Sequence, residues 1–114
     1  MPSPARDFGV QSYCFRDFKD NAVVAKMVRE IGLNKIELGG VQADFSKPAE
    51  LGKVVKTYAD AGVSIVSLGV QTFVGDESER NWFECAKTAG AKHISAHFRV
   101  DSFTTAAPKT AKLA

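Results

Sequence analysis

Apolar residues recur at helical spacing in two stretches of the chain. Val24, Met27, Val28 and Ile31 sit at i, i+3, i+4 and i+7, and Leu51, Val54, Val55 and Tyr58 repeat that spacing. Each set makes one buried stripe on an amphipathic helix. Glycine follows each stretch, at Gly32 and Gly62, and Gly90 ends a third. Glycine enters the left-handed conformation that closes a helix without a Cβ penalty. Start signals agree: Asp20 can cap the first helix, Ser46 precedes the second with Pro48 in its first turn, and Asp76 with Glu79 fits a capping box for the third. After each glycine comes a short β-rich run, over 35–39, 64–71 and 93–98, and an earlier run over 8–15 has the same character. The pattern predicts β1 at 8–14, α1 at 20–31, β2 at 35–39, α2 at 47–61, β3 at 64–71, α3 at 76–89, β4 at 92–98 and α4 from about 104.

The units repeat. Residues 29–38 read REIGLNKIEL, residues 59–68 ADAGVSIVSL and residues 87–96 KTAGAKHISA, with the glycines 30 and 28 residues apart. A fixed period of this kind means one supersecondary unit copied several times. Strands alternating with helices imply parallel pairing through right-handed crossovers. A flavodoxin-like open sheet would need about five strands within this length. Eight units of this period approach the length of roughly 250 residues typical of a (β/α)₈ barrel. The fourth helix runs off in Ala and Lys with no closing glycine. The expected architecture is therefore α/β: a partial (β/α)₈ TIM barrel, its first four βα units with parallel strands, truncated at 8–114 behind an N-terminal arm at 1–7.

Composition narrows the function classes. Of 114 residues, 45% are hydrophobic and 25% charged, which suits a globular domain rather than a disordered chain. A net charge of +2 without a basic cluster gives no reason to expect nucleic acid as a partner. No apolar run approaches the roughly 18 residues needed to span a bilayer, and the first residues lack the apolar core of a secretory signal. A cytoplasmic location is expected. Cys14 and Cys85 fit no metal or redox spacing and read as small buried hydrophobes.

Alternation along the strands supplies the candidate chemistry. Aligned by the repeat, Ile36, Val66 and Ile94 share one position, with Leu38, Leu68 and Ala96 two residues on. These should face the helices. Glu37, Ser67 and Ser95, then Gly39, Gly69 and His97, should face the barrel interior, with Gln11 and Tyr13 able to join them. That inner face is polar for a structural core, and a carboxylate there needs partners or a task. Tyr13, Arg16, Glu37, Gln71, His97 and Arg99 lie at or just past the C-terminal ends of strands, where barrel enzymes place their sites. Bland readings compete. Glu37 can be a solvated strand residue, His97 a rim histidine, and Arg16, Arg99 and Asp101 loop charges. His93 reads as a surface residue, and Phe73, Trp82 and Phe83 read as packing between α3 and the sheet. Gly39-Gly40 is no phosphate-loop fingerprint.

The segments 9–16 (GVQSYCFR), 32–38 (GLNKIEL) and 90–97 (GAKHISAH) resemble, in order and spacing, the first, second and fourth strands of the xylose isomerase-like TIM-barrel superfamily of sugar phosphate isomerases and epimerases. The resemblance runs over roughly residues 8–114, against the first half of a family member. It implies a divalent-metal enzyme (Mn, Mg, Co or Zn) acting on a small sugar or polyol, by proton abstraction next to a carbonyl. The family's usual metal set of two Glu, an Asp and a His lies on later strands, so no metal ligand or catalytic base carries over. What carries over is substrate-side lining: Glu37 as a hydroxyl acceptor, His97 as a polar contact, and Tyr13, Arg16 and Gln71 around them. The 114-residue chain alone is expected not to catalyse isomerisation. The alternatives are a half-barrel that self-associates through its open sheet edges and a four-strand small-molecule binding module without catalysis.

Overall fold

A computed structural model describes residues 8–114; the arm at 1–7 lies outside the described residues. Four parallel strands, β1 (Val10–Gln11), β2 (Lys35–Leu38), β3 (Ser64–Thr72) and β4 (His93–His97), form one sheet in the order β1-β2-β3-β4. The helices are α1 (Asn21–Glu30), α2 (Pro48–Asp60), α3 (Arg80–Ala89) and α4 (Phe103–Leu113). Sequential order with right-handed crossovers puts the connecting helices on one face of the sheet. There Val24 and Val28 of α1, Leu51 and Tyr58 of α2 and Cys85 of α3 join Ile36, Leu38 and Leu68 in one core. A doubly wound sheet would reverse its strand order partway, and this one does not. The chain is thus an α/β fold with a four-strand, all-parallel sheet. No helix among the described residues is long and apolar enough to cross a membrane.

Local signals behave as the sequence demands at most helix ends. Gly32, Gly62 and Gly90 all take positive φ. The Asp20 side chain accepts from Ala22 N, and Asp76 with Glu79 forms a capping box. Glu79 does more than cap. Its buried carboxylate accepts from three successive backbone N–H groups, Val74, Gly75 and Asp76.

Several expectations need correction. β1 is only two residues long, because the chain turns into a 3-10 helix at Ser12–Phe15, held by the Gln11 side chain accepting from Tyr13 N. Segment 76–89 divides into a 3-10 turn at Glu77–Glu79 and α3. Ser46 does not cap α2; its N–H and hydroxyl both donate to Asp44, and Lys47 sits at the cap. Ile31 is exposed and Ala25 takes the core side of α1. Cys14 is exposed on the 3-10 turn, whereas Cys85 is buried as expected. The aligned repeat misses two bulges in β3. Ile36 pairs with Ile65 and Glu37 with Ser67, so Val66 is the extra residue and Ile65 the core one. A second irregularity between Gly69 and Gln71 leaves Val70 unpaired, pairs Ala96 with Gln71 and leaves Ala96 exposed. Phe73, Trp82 and Phe83 do pack together, with ring centroids 5.9 and 6.0 Å from Phe73.

Candidate functional site

On the sheet face opposite the helices, the four strands converge on one carboxylate. Glu37 Oε1 accepts from Gln11 Nε2 at 2.7 Å. Its Oε2 accepts from Ser67 Oγ and from Ser95 Oγ, both at 2.6 Å. The group is half-buried. Period-two alternation puts these side chains on one face. The first bulge in β3 brings Ser67, not Val66, opposite Glu37. Gly69 lets the second serine approach: a Cβ there would lie 2.8 Å from Ser95 Cβ and 2.9 Å from its carbonyl oxygen. Gln11 links this cluster to the rim. Its Nε2 also donates to Gly69 O at 3.0 Å, and its Oε1 accepts from Tyr13 N at 2.8 Å.

Above Gln11, at the C-terminal ends of β1–β3, lies a cleft of about 290 Å³ walled by Tyr13, Gly39, Gly40, Val41 and Val70. The Tyr13 ring is exposed, with the Arg16 guanidinium 5.0 Å from its centroid. Arg16 also donates to Tyr13 O at 3.4 Å. The rim below is fixed by Gln42, which is buried and donates through Nε2 to the carbonyls of Ser12, Phe15 and Phe18. Ser12 is buried too, and its hydroxyl accepts from Gly39 N at 2.8 Å.

The structure therefore unites part of the predicted set. Glu37 is the centre of the cluster, and Tyr13 and Arg16 sit together on the cleft's rim. His97 stands apart, exposed at the end of β4, 3.4 Å through Nδ1 from Thr72 Oγ1. Gln71 is half-buried beside Ala96 on β3 and does not line the cleft. Arg99 and Asp101 pair with each other on the surface, and His93 is exposed. Gln42 was missed, because a glutamine in a loop carries no sequence signal. Ser67 and Ser95 were placed on the right face without a partner being assigned to them.

The groups around Glu37 are hydroxyls and an amide N–H that donate to it, and no three His, Cys, Asp or Glu side chains come together among the described residues. What the arrangement can do is accept. A carboxylate has about four lone-pair positions, three of which are engaged here, leaving room for one further donor on Oε1.

No protein-family model matches the chain, and no curated protein does. Among solved structures it is similar to a crystal structure of an uncharacterized protein from Parabacteroides distasonis ATCC 8503, with 13% identity and a TM-score of 0.66. The similarity covers 92% of this chain and 48% of that one, so the chain spans about half the length of that structure. At this identity the likeness shows the fold.

Proposed function

We propose that this chain is the N-terminal part of a (β/α)₈ barrel of the xylose isomerase-like type, and that it supplies substrate-side contacts for a small sugar or polyol. The carrying observation is the Glu37 carboxylate, half-buried on the polar face of the sheet and held by Gln11, Ser67 and Ser95. Strand order and the likeness to half of a longer chain support the barrel arc. Glu37 takes one substrate hydroxyl on Oε1, while the exposed Tyr13 ring offers an apolar wall for the C–H face of a sugar. Chemistry at a carbonyl, and the metal it would use, belong to strands outside this chain; a cytoplasmic sugar isomerase or epimerase is the parent activity in this reading.

A second reading has a specific observation behind it. Three of the carboxylate's acceptor positions are already filled by the chain's own donors, as a tie across four strands would require. Heteronuclear NMR titration with aldoses, ketoses and polyols separates the two. Shifts confined to Gln11, Tyr13, Glu37, Gly39 and Gly40, lost in Glu37→Gln while the rest of the spectrum persists, support binding. No shift at tens of millimolar ligand leaves the tie as the whole role.

A further inference from the structure

The cleft at the C-terminal ends of β1–β3 has apolar walls on a face whose strand residues are polar. Leu68 is buried on the helix side of β3, and unbroken alternation would return Val70 to that side. The second irregularity prevents this. Ser95 pairs with Gly69 and Ala96 with Gln71, so Val70 is passed over. Phe73 is back on the helix side, packed against Trp82 and Phe83. Val70 is left 63% exposed and lines the cleft with Tyr13, which is 58% exposed, and with Val41. Arg16 lies over the Tyr13 ring but does not line the cleft, so it brings no charge into it. The polar side chains that do line it are engaged with one another. Gln11 donates to Glu37 and to Gly69 O, and its Oε1 accepts from Tyr13 N and from the Ser12 hydroxyl. Ser12 is buried and accepts from Gly39 N.

We propose that the cleft selects a neutral ring ligand with one hydroxyl edge toward Glu37 and a face of C–H or methyl groups toward Tyr13, Val41 and Val70, and that Val70 is a specificity-determining residue. A ligand hydroxyl pressed against those three side chains loses its water and gains no partner, and burying an unmatched hydroxyl is costly. A methyl or methylene in the same place gains apolar burial. Deoxy sugars and sparsely hydroxylated rings are favoured over fully hydroxylated ones. This selectivity rests on the reading of the cleft as a sugar or polyol site, and it concerns the ligand face that β1–β3 meet.

The test is NMR titration of the ¹⁵N-labelled full chain with cyclohexane-1,2-diol and with myo-inositol, which share one ring size and differ in hydroxyl number. Tighter binding of the diol by about tenfold or more is expected, with shifts at Tyr13, Gly40, Val41 and Val70. Equal or tighter binding of inositol at those residues overturns the selectivity and leaves the sugar-site reading standing. Diol shifts confined to other residues overturn it as well. No cleft shift with either ring removes both. Val70→Thr keeps the side chain's shape and sets a hydroxyl on the wall at a position already exposed. With the rest of the amide spectrum unchanged, the preference for the diol should shrink to about threefold or less; an unchanged preference removes Val70 as its source. The comparison of the two rings on the unaltered chain needs no variant to fold.

Discussion

Replacing Glu37 with glutamine keeps the side chain's volume and turns one acceptor oxygen into a donor. Ser67 and Ser95 both donate to Oε2 and Gln11 donates to Oε1, so either orientation of the amide sets N–H against a donor. Glu37→Gln is therefore expected to lower stability by about 1–3 kcal/mol, the cost of a polar group left unmatched, as read from the urea midpoint. No loss would mean that the three donors find water as readily as the carboxylate. Gln42 has the same logic with reversed polarity. Removing its amide takes a donor from the carbonyls of Ser12 and Phe18, while Phe15 O keeps Phe18 N, and Gln42→Ala should cost a similar ~1–3 kcal/mol and loosen the turn carrying Tyr13. The two thiols differ more sharply. Burial first, then Asp44 and Glu84, pushes the Cys85 thiol up to about 11, while Cys14 is exposed. A disulfide reagent at pH 8 should titrate one thiol per folded chain and the second only in denaturant. Two fast thiols would place Cys85 at an opening surface.

At the scale of elements, the register of β3 decides whether the cluster exists. Two bulges shift Ser67 opposite Glu37 and leave Gly69 against Ser95. Gly69→Ala would put a methyl group within 3 Å of Ser95. Overpacking of this kind costs about 1–3 kcal/mol, and the displaced Ser95 should release Glu37. The check is a lower melting temperature with chemical-shift changes concentrated in β4; changes spread over the helices would contradict it. Helices, caps and closing glycines were legible because each depends on residues within one turn: Asp20, the Asp76–Glu79 box, Gly32, Gly62 and Gly90 all act locally. The polar face was legible as well, since alternation needs only the strand. The bulges were not. One extra residue moves the phase of a strand without altering its composition, so the alignment put Val66 where Ile65 belongs and grouped His97 with Gly69, when its partner is Thr72. β1 was overestimated for a related reason. SYCF is as apolar as a strand, and what ends it is the Gln11 side chain bonding to Tyr13 N together with the distant Gln42 amide on the carbonyls of Ser12 and Phe15.

For the molecule as a whole, the core holds two acids whose charged forms it disfavours. Tyr58 is buried at the junction of α2 with α1, its hydroxyl donating to Asn21 Oδ1 at 2.7 Å. Burial holds its phenol well above the ordinary value of 10.0. The Cys85 thiol is raised from 9.0 to about 11. In both cases the folded state keeps its proton longer than the unfolded chain does. Their contribution is complete below the unfolded values and is lost as pH rises toward the folded ones. Stability should thus begin to fall above pH 9 through Cys85 and more steeply above pH 10 through Tyr58. Tyr58→Phe separates the two. It removes one hydrogen bond, costing about 1 kcal/mol at neutral pH, and it removes the later part of the alkaline loss. Urea midpoints followed from pH 8 to 11 should then converge for the two proteins above pH 10. Parallel curves would mean that Tyr58 ionises without unfolding, and that the α1–α2 junction opens to water while the sheet stays intact.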